Sequence, residues 1–308
     1  MSKLSSKISY FKRGMRLIVE WPIYKVHSKY KTRFNILSKE ESIQKIIKTK
    51  GSLVRFGDGE FNWIQGISYK SNFQSLNPKM ALRLKQVLNS NVENLFIAVP
   101  GTLENVDNLQ LEAKSFWVDY NLRRKNKIIK LFDRNNLNKT YLDAMLGRFY
   151  MDTLDLRQAN KIVSLLKNIW NDRQVIIVEG RETRFGVGND FLSNAKDVSR
   201  ILGPVTNAFE QYDELFTIVK NKVKNVEDPL VLIALGPTAT ILAHDLAVDG
   251  IQSVDIGHAD IEYEWFLKKA KIKIPISGKY VNETPEKFKK SALIEGNSQY
   301  QSEIIGEI

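Results

Sequence analysis

Five short apolar runs constrain the fold of this chain more than any other feature of its sequence. They are rich in β-branched residues, and each ends in a turn of Gly, Pro or acidic residues. Segments with helical spacing, such as 80–88 and 238–248, separate them. A strand such as Val-Leu-Ile-Ala-Leu is apolar on both faces, which is typical of a parallel sheet covered on both sides. The sequence therefore predicts an α/β protein with a mostly parallel sheet and helices on both faces. The runs are 52–56, 95–99, 175–178, 230–235 and 253–256.

Composition excludes several kinds of site. The 308 residues contain 43% hydrophobic residues, which is enough for a full core. The chain has no cysteine and only three histidines, so disulfides, thiolate nucleophiles and cysteine-ligated metals are excluded. A bound metal would take carboxylate ligands, which favours Mg²⁺ or Mn²⁺. No apolar run approaches the length of about 18 residues that a membrane-spanning helix needs, and the N-terminus lacks the apolar core of a signal peptide.

The two ends of the chain differ in composition from the middle. Residues 1–35 form a predicted basic amphipathic arm, with nine Lys or Arg and a single acid, Glu20, between Lys3 and Arg33. Two interpretations stay open: peripheral contact with an anionic membrane, and a helix packed on the main domain. Pro22 predicts that the arm is not one uninterrupted helix. Residues 283–308 are polar and predict a loosely held tail, which leaves 36–282 as the main domain.

The turn after the first run carries a candidate metal site. In an open parallel sheet, ligands bind beyond the carboxyl ends of the strands. Here the sequence reads Arg55, Phe56, Gly57, Asp58, Gly and Glu60. The two carboxylates could ligate a divalent ion that also binds diphosphate oxygens, and the arginine could neutralise the same phosphates. Alternatively, the segment is an Asp-Gly turn followed by a glutamate that caps the next helix.

Two further turns predict contacts with a nucleotide. Arg181 and Arg184 lie in a glycine-rich turn, which could bind a diphosphate through backbone N–H groups and guanidinium groups. Gly236, Pro237 and Thr238 precede an apolar helix, so a phosphate or ribose oxygen could bind at its N-terminus; alternatively, the threonine only caps that helix. The glycine spacing does not complete a dinucleotide fingerprint and no P-loop is present, so a nicotinamide cofactor is not expected.

The last run leads into a segment rich in ionisable residues. His258, Asp260, Glu262 and Glu264 recur at every second position. If a helix begins here, Asp260 and Glu264 share one face of it. His258 and Glu262 then share the next face. Crowded ionisable groups shift one another's pKa values, which is typical of a general base or a metal site; a solvated helix face is the alternative.

Three segments together resemble the GT-D type bacterial glycosyltransferases, a family first described as a domain of unknown function. The resemblance covers roughly residues 36 to 280, and its motifs occur in the expected order. It implies a Rossmann-like fold and the metal-dependent transfer of a hexose, commonly glucose, from a UDP-sugar to a growing glycan. The segments are Val-Arg-Phe-Gly-Asp-Gly-Glu-Phe (54–61), Leu-Gly-Pro-Thr-Ala (235–239) and Asp-Ile-Gly-His-Ala-Asp-Ile-Glu-Tyr-Glu-Trp (255–265).

The resemblance also implies roles for the candidate residues. Asp58 and Glu60 match the family's Asp-x-Glu motif for metal and nucleotide, and His258 is expected as a further metal ligand. The family's acidic segment matches 258–264 and implies a catalytic base, which we expect at Glu264, with Asp260 and Glu262 as alternates. The expected nucleotide-sugar contacts are Arg55, Phe56, Gly57, Arg181, Arg184, Gly236, Pro237 and Thr238.

Other functions and the partners follow from charge and context. A non-catalytic nucleotide or phosphosugar-binding module is the alternative to an enzyme. The net charge of +11 favours anionic partners, but acidic residues at the strand ends would repel nucleic acid, so none is expected. The expected acceptor is a bacterial surface glycan or a glycosylated protein. Because a nucleotide sugar is the expected donor, the expected location is cytoplasmic, with the inner face of the cell membrane as a candidate site.

Overall fold

The fold is built on one nine-stranded sheet in which every strand pair is parallel. A computed structural model describes residues 3–30, 33–67, 74–224, 226–281, 283–284 and 298–308, without the side chains of 3–12 and 30. The strand order is β1-β4-β3-β2-β8-β7-β5-β6-β9. The strands are β1 Asn35–Ile36, β2 Ser52–Arg55, β3 Leu95–Val99, β4 Thr140–Asp143, β5 Gln174–Gly180, β6 Asp197–Gly203, β7 Leu230–Ala234, β8 Ser253–Asp255 and β9 Ile304–Glu307.

Helices cover both faces of this sheet. In β7, Val231 and Ile233 pack into one apolar layer, whereas Leu230 and Leu232 pack into the other. Because neighbouring side chains in a strand point to opposite faces, both faces must be covered, and the predicted parallel α/β architecture is confirmed. The helices are α1 Lys3–Tyr30, α2 Lys39–Thr49, α3 Asp58–Ile64, α4 Pro78–Leu88, α5 Leu111–Ile129, α6 Arg157–Ile169, α7 Tyr212–Val223, α8 Pro237–Val248, α9 Ala259–Leu267 and α10 Ser298–Glu303.

The basic arm is a single helix, contrary to the interruption predicted at Pro22. Proline leaves the carbonyl of Ile18 without its helical donor. Both residues are exposed, so water can hydrogen-bond to that carbonyl and the helix continues. The inner face of α1 packs against α5 and the rest of the core through Leu17, Trp21 and Tyr24. Of the two interpretations of the arm, packing on the main domain is therefore observed. Among the described residues, no helix combines the length and apolar character needed to cross a membrane.

The end of the chain differs from the loosely held tail that the sequence predicts. Strand β9 pairs in parallel with β6 and forms one edge of the sheet. Just before it, Glu303 accepts a hydrogen bond of 2.6 Å from Nε of the buried Arg200, whose Nη1 donates to Glu179 at 2.7 Å. The segment forms an edge strand despite its polar composition. Its backbone pairs with β6, and the ion pair between Glu303 and the buried Arg200 holds the chain just before the strand. The domain boundaries at 35/36 and 282/283 stay predictions.

Candidate functional site

A cleft of about 760 Å³ lies beyond the carboxyl ends of the central strands β2, β7 and β8. This is where an open parallel sheet places its ligands. The turns after these strands meet there, together with residues of α1 and α5. The predicted site residues that line the cleft are Arg55, Gly57, Asp58, Glu60, Gly236, Pro237, His258 and Asp260.

Arg55 braces the floor of the cleft. Its Nε and Nη2 donate to Oδ1 of Asp255 at 3.2 and 3.0 Å, Nε also donates to the carbonyl of Asp255 at 2.8 Å, and Nη1 donates to the carbonyl of Ala144 at 3.0 Å. Thr240 donates to the other oxygen of the Asp255 carboxylate at 3.2 Å. These bonds join β2 to β8. Most N–H groups of Arg55 therefore already donate to oxygens of the protein.

The backbone at Gly257 is shaped by this arginine. Gly257 has a φ of +52°, and a Cβ at this position would overlap the guanidinium group of Arg55. A left-handed conformation also favours glycine, because it has no side chain to clash with the backbone. The turn after β8 can therefore approach Arg55 only with glycine at position 257.

Asp58 and Glu60 stand in the first turn of α3, at the mouth of the turn after β2. Glu60 Oε2 accepts a hydrogen bond of 2.7 Å from the N–H of Gly57, so the glutamate caps its own helix, as one of the two interpretations predicts. Burial raises the pKa of Glu60 to about 7. Burial also raises the pKa of Asp58, against the opposing charge of Arg148. Both carboxylates line the same cleft, and carboxylates with raised pKa values favour the approach of a cation.

The donor set of the cleft fits a hard divalent ion that completes its coordination with substrate oxygens. Mg²⁺ is commonly bound by one or two carboxylates together with phosphate oxygens and water, and Asp58 with Glu60 supplies such a pair. Within the described ranges, no three Asp, Glu or His residues are close enough to form a closed metal site. The role of His258 as a further metal ligand stays a prediction.

His258 lies in the wall of the same cleft. Its ring packs on Trp265, with 5.6 Å between the ring centroids, and its Nε2 is 3.7 Å from Oε1 of Glu283. Burial lowers the pKa of His258 to about 4, with the charge of Glu283 opposing. Burial thus favours the neutral form of the imidazole.

A cationic cluster that the sequence did not predict lines the same cleft. Arg148 and Lys273 both form ion pairs with Glu283, whose pKa is well below its usual range because of these positive charges, which outweigh the effect of burial. The opposing charge of Glu283 raises the pKa of Arg148, against the effect of burial. Arg148 follows β4, whose Thr-Tyr-Leu-Asp sequence is too short and polar to read as a buried strand. Glu283 lies at the start of the segment that composition assigns to a tail.

The acidic residues of α9 form hydrogen bonds and ion pairs within the protein, and of the three only Asp260 also lines the cleft. Glu264 accepts hydrogen bonds from Asn189 at 2.8 Å and from Lys268 at 2.9 Å, and it lies 3.3 Å from Lys279. Asp260 accepts from Lys279 at 2.6 Å and from Asn189 at 2.9 Å. The two acids share one helix face, as predicted, and together they fix the loop around residue 189. The lysines and the asparagine lower the pKa of Glu264, although burial opposes them.

Glu262 points into the interior on the other face of α9. Its Oε2 accepts hydrogen bonds of 3.0 Å from the N–H groups of Tyr150 and Met151, and the side chain is fully buried. Burial raises the pKa of Glu262 to about 7. Of the three acids predicted as base or alternate base, only Asp260 lines the cleft, and the identity of the base stays a prediction.

Four predicted nucleotide contacts also lie off the cleft. Arg181 forms an ion pair with Glu307 and thereby fastens the edge strand β9. Arg184 donates to the carbonyl of Gly278 at 2.7 Å. Phe56 is buried and stacks on Phe61 with 5.9 Å between ring centroids. Sequence spacing places these residues near strand ends, but packing turns their side chains toward the protein.

Thr238 is the fourth of these residues, and its predicted capping role is not observed. The N-cap of α8 is Gly236, with a φ of +56°, and Pro237 follows as the first helical residue. Thr238 is fully buried, and its Oγ1 has no hydrogen-bond partner among the described residues. Gly236 and Pro237 are the part of this turn that faces the cleft.

The chain resembles known glycosyltransferases over most of its length. Two curated relatives are the probable glycosyl transferase Gly of Streptococcus gordonii, 30% identical over 90% of this chain, and the glycosyltransferase GlyD of Streptococcus pneumoniae serotype 4, 31% identical over 87%. The chain spans only 39% and 32% of the lengths of these two relatives.

Solved structures share the whole fold. One, described as the highly conserved domain of unknown function 1792 with a distinct glycosyltransferase fold, has a TM-score of 0.83 at 32% identity, covering 94% of this chain and 99% of its own. Another, a glycosyltransferase of the same domain type from Streptococcus sanguinis, has a TM-score of 0.80 at 29% identity, covering 90% and 100%. The model of the glycosyltransferase GT-D fold matches residues 53–284. The chain therefore belongs to the GT-D glycosyltransferase family, as its motifs predict.

Proposed function

We propose that this chain transfers a hexose, most simply glucose, from a UDP-sugar to a hydroxyl group of a bacterial surface glycan. The observation that carries the proposal is one cleft at the strand ends that holds a carboxylate pair, Asp58 and Glu60, and a cationic group, Arg148 and Lys273. A metal-bound diphosphate needs both kinds of group. Membership of the GT-D family supports the same reaction class.

The cationic group supplies the charge that a departing diphosphate requires. Cationic side chains placed where negative charge develops stabilise the transition state. Glu283 forms ion pairs with both Arg148 and Lys273. We infer that the donor's phosphates compete with this carboxylate for the two cations. Arg55 is held by Asp255 and Ala144, and it acts by positioning the turns around the donor.

The proposed cofactor is Mn²⁺ or Mg²⁺. Asp58 and Glu60 would hold the ion through the oxygen atoms that face the cleft. When bound, such an ion neutralises charge on the phosphate oxygens and thereby makes UDP a better leaving group. Of the two, Glu60 also keeps the start of α3 in place through its bond to Gly57.

The acceptor side of the cleft is aromatic. Trp63, Phe116 and Trp117 line it, and Phe116 is 46% exposed. Flat aromatic faces are suited to packing against the apolar face of a sugar ring, which supports a glycan or a glycosylated protein as acceptor. Because the donor is a nucleotide sugar, we place the reaction on the cytoplasmic side of the membrane.

We further propose that Asp260, the one acid of α9 that lines the cleft, accepts the proton of the acceptor hydroxyl, and that Glu264 is a positioning residue rather than the base. The oxygens of Glu264 bind Asn189, Lys268 and Lys279, so Glu264→Gln removes charge but keeps the shape of the side chain. We expect kcat within about tenfold of the wild type, whereas loss of a general base costs on the order of 100-fold or more. The free energy of unfolding should fall by about 2 kcal/mol. Steady-state kinetics across pH and urea unfolding measure both effects.

The pH profile separates the two roles of Glu264. A positioning residue leaves the acidic limb of the kcat profile in place, and removal of the base would abolish that limb. Glu214, an exposed residue of α7, provides the matched control as Glu214→Gln. A loss of the acidic limb in Glu264→Gln alone would restore Glu264 as the base.

Release of UDP from a panel of UDP-sugars tests the proposed function, with Mn²⁺ and with a chelator. We expect release from one donor, faster with a glycan acceptor and lost with chelator. Tight UDP-sugar binding with no release under any acceptor condition would favour the alternative, a non-catalytic nucleotide or phosphosugar-binding module. Release that is unaffected by the chelator would contradict the metal but not the transfer.

A further inference from the structure

The outward face of α1 carries an apolar stripe that no described part of the chain covers. Its five residues, spaced so that they lie along one side of the helix, are 47–68% exposed. The opposite side of the same helix packs on the domain through Leu17, Trp21 and Tyr24. The helix is therefore apolar on two sides, of which the fold uses only one. The exposed residues are Met15, Ile18, Val19, Ile23 and Val26.

The exposed stripe extends over about three turns of α1. From Met15 to Val26 it is about 18 Å long, at a rise of 1.5 Å per residue. Apolar residues scattered singly are normal on protein surfaces. Here five exposed apolar residues lie next to one another on one side of a helix.

The charges around the stripe indicate which kind of surface it binds. From Lys3 to Arg33 the sequence has nine basic residues and one acid. Three of the described basic side chains form ion pairs within the protein: Arg13 with Glu112, Arg16 with Asp119 and Lys25 with Asp107. Lys29, in the last turn of α1, is exposed. An apolar stripe between basic residues matches the surface of a membrane that contains anionic lipids.

A second copy of the chain fits this stripe less well. Helices that pair through an apolar seam need opposite charges at the positions beside the seam. Two copies of α1 would instead bring two strongly basic helices together. The composition of α1 therefore favours an anionic surface over self-association.

We propose that α1 lies in the plane of an anionic membrane, with its outer stripe at the boundary between headgroups and acyl chains. Arg13 and Arg16 of the same helix line the cleft. The acceptor side of the cleft is thus held within about one helix diameter, ~10 Å, of the lipid headgroups. This placement favours an acceptor that is itself held at the membrane. The membrane contact does not depend on the proposed reaction.

Co-sedimentation of the full chain with lipid vesicles tests this proposal. One set contains phosphatidylcholine alone and the other an equal mixture with phosphatidylglycerol. The stripe variant is Ile18→Ser, Val19→Ser and Val26→Ser, and the matched control is Leu82→Ser, Leu154→Ser and Val248→Ser, which are similarly exposed but lie elsewhere. We expect binding to the anionic vesicles, weaker at high salt, and on the order of tenfold or more weaker for the stripe variant only.

Three outcomes would overturn the proposal. The first is that wild type does not bind the anionic vesicles, and the second is that the stripe variant binds them as well as the control does. The third is a dimer in light scattering that the stripe variant abolishes without any vesicle binding, which would assign the stripe to a second copy. UDP release in vesicle-free solution should be equal in all three proteins, because the substituted residues lie outside the cleft. A failure of the proposed reaction would therefore leave the vesicle result standing.

Discussion

Asp58→Asn is expected to lower metal-dependent UDP release on the order of 100-fold or more, because it removes one of the two carboxylates proposed to hold the ion at the diphosphate. The substitution keeps the side chain's size. Burial raises the pKa of Asp58, which means that the charged form is costly in the folded state. The neutral amide should therefore leave the free energy of unfolding unchanged or slightly higher. UDP release and thermal unfolding of the same preparation measure the two effects.

Asp249→Asn is the matched control for this experiment. Asp249 caps the end of α8 and forms a surface ion pair with Lys220, away from the cleft. Its substitution should change UDP release by less than about twofold, because surface ion pairs contribute little. Full metal-dependent release by Asp58→Asn would contradict the assignment of the carboxylate pair. Equal losses in both variants would point to a general effect of removing negative charge.

Gly257→Ala is expected to lower both stability and activity. The added Cβ would overlap the Arg55 guanidinium and force it away from Asp255, whose carboxylate is buried. Separating a buried ion pair costs about 3–5 kcal/mol, and the left-handed backbone adds about 1 kcal/mol for a residue with a Cβ. We expect the free energy of unfolding to fall by about 4 kcal/mol or more. Urea unfolding measures this loss.

Gly250→Ala separates backbone strain from the overlap with Arg55. Gly250 has a φ of +76°, and a Cβ there would meet no atom within 4 Å among the described residues. Gly250→Ala should lower the free energy of unfolding by only about 1 kcal/mol, which is the cost of the left-handed conformation alone. Equal losses in the two variants would show that Arg55 can move aside without cost. Such a result would remove the proposed positioning role of Arg55.

The Asp-x-Glu motif shows how far a local pattern can predict a site. The sequence leaves two interpretations of Glu60 open, a metal ligand and a helix cap. In the structure, one oxygen of Glu60 caps α3, while the residue also lines the cleft. A carboxylate has two oxygens, so one glutamate can cap a helix with one of them and bind a cation with the other.

The acidic segment of α9 shows where such prediction stops. Helical spacing correctly places Asp260 and Glu264 on one face, but it does not tell which face meets the cleft. Every residue of α9 from Ala259 to Trp265 is buried, so its acidic residues do not mark a solvent-exposed face of the helix. Only the tertiary structure shows that both acids bind Asn189 and Lys279 and that Asp260, but not Glu264, also lines the cleft.

The sequence by itself determined the parallel sheet, the order of its central motifs and the end of the sheet where the cleft forms. This was possible because strands buried on both faces require continuous apolar runs, and the turns after those runs must meet at one edge. The tertiary structure alone decided which charged groups share the cleft. Arg148 and Glu283 come from segments without a strong local pattern and meet only after folding. Burial and ion pairing, rather than spacing along the chain, separate the residues that face a ligand from those that support the fold.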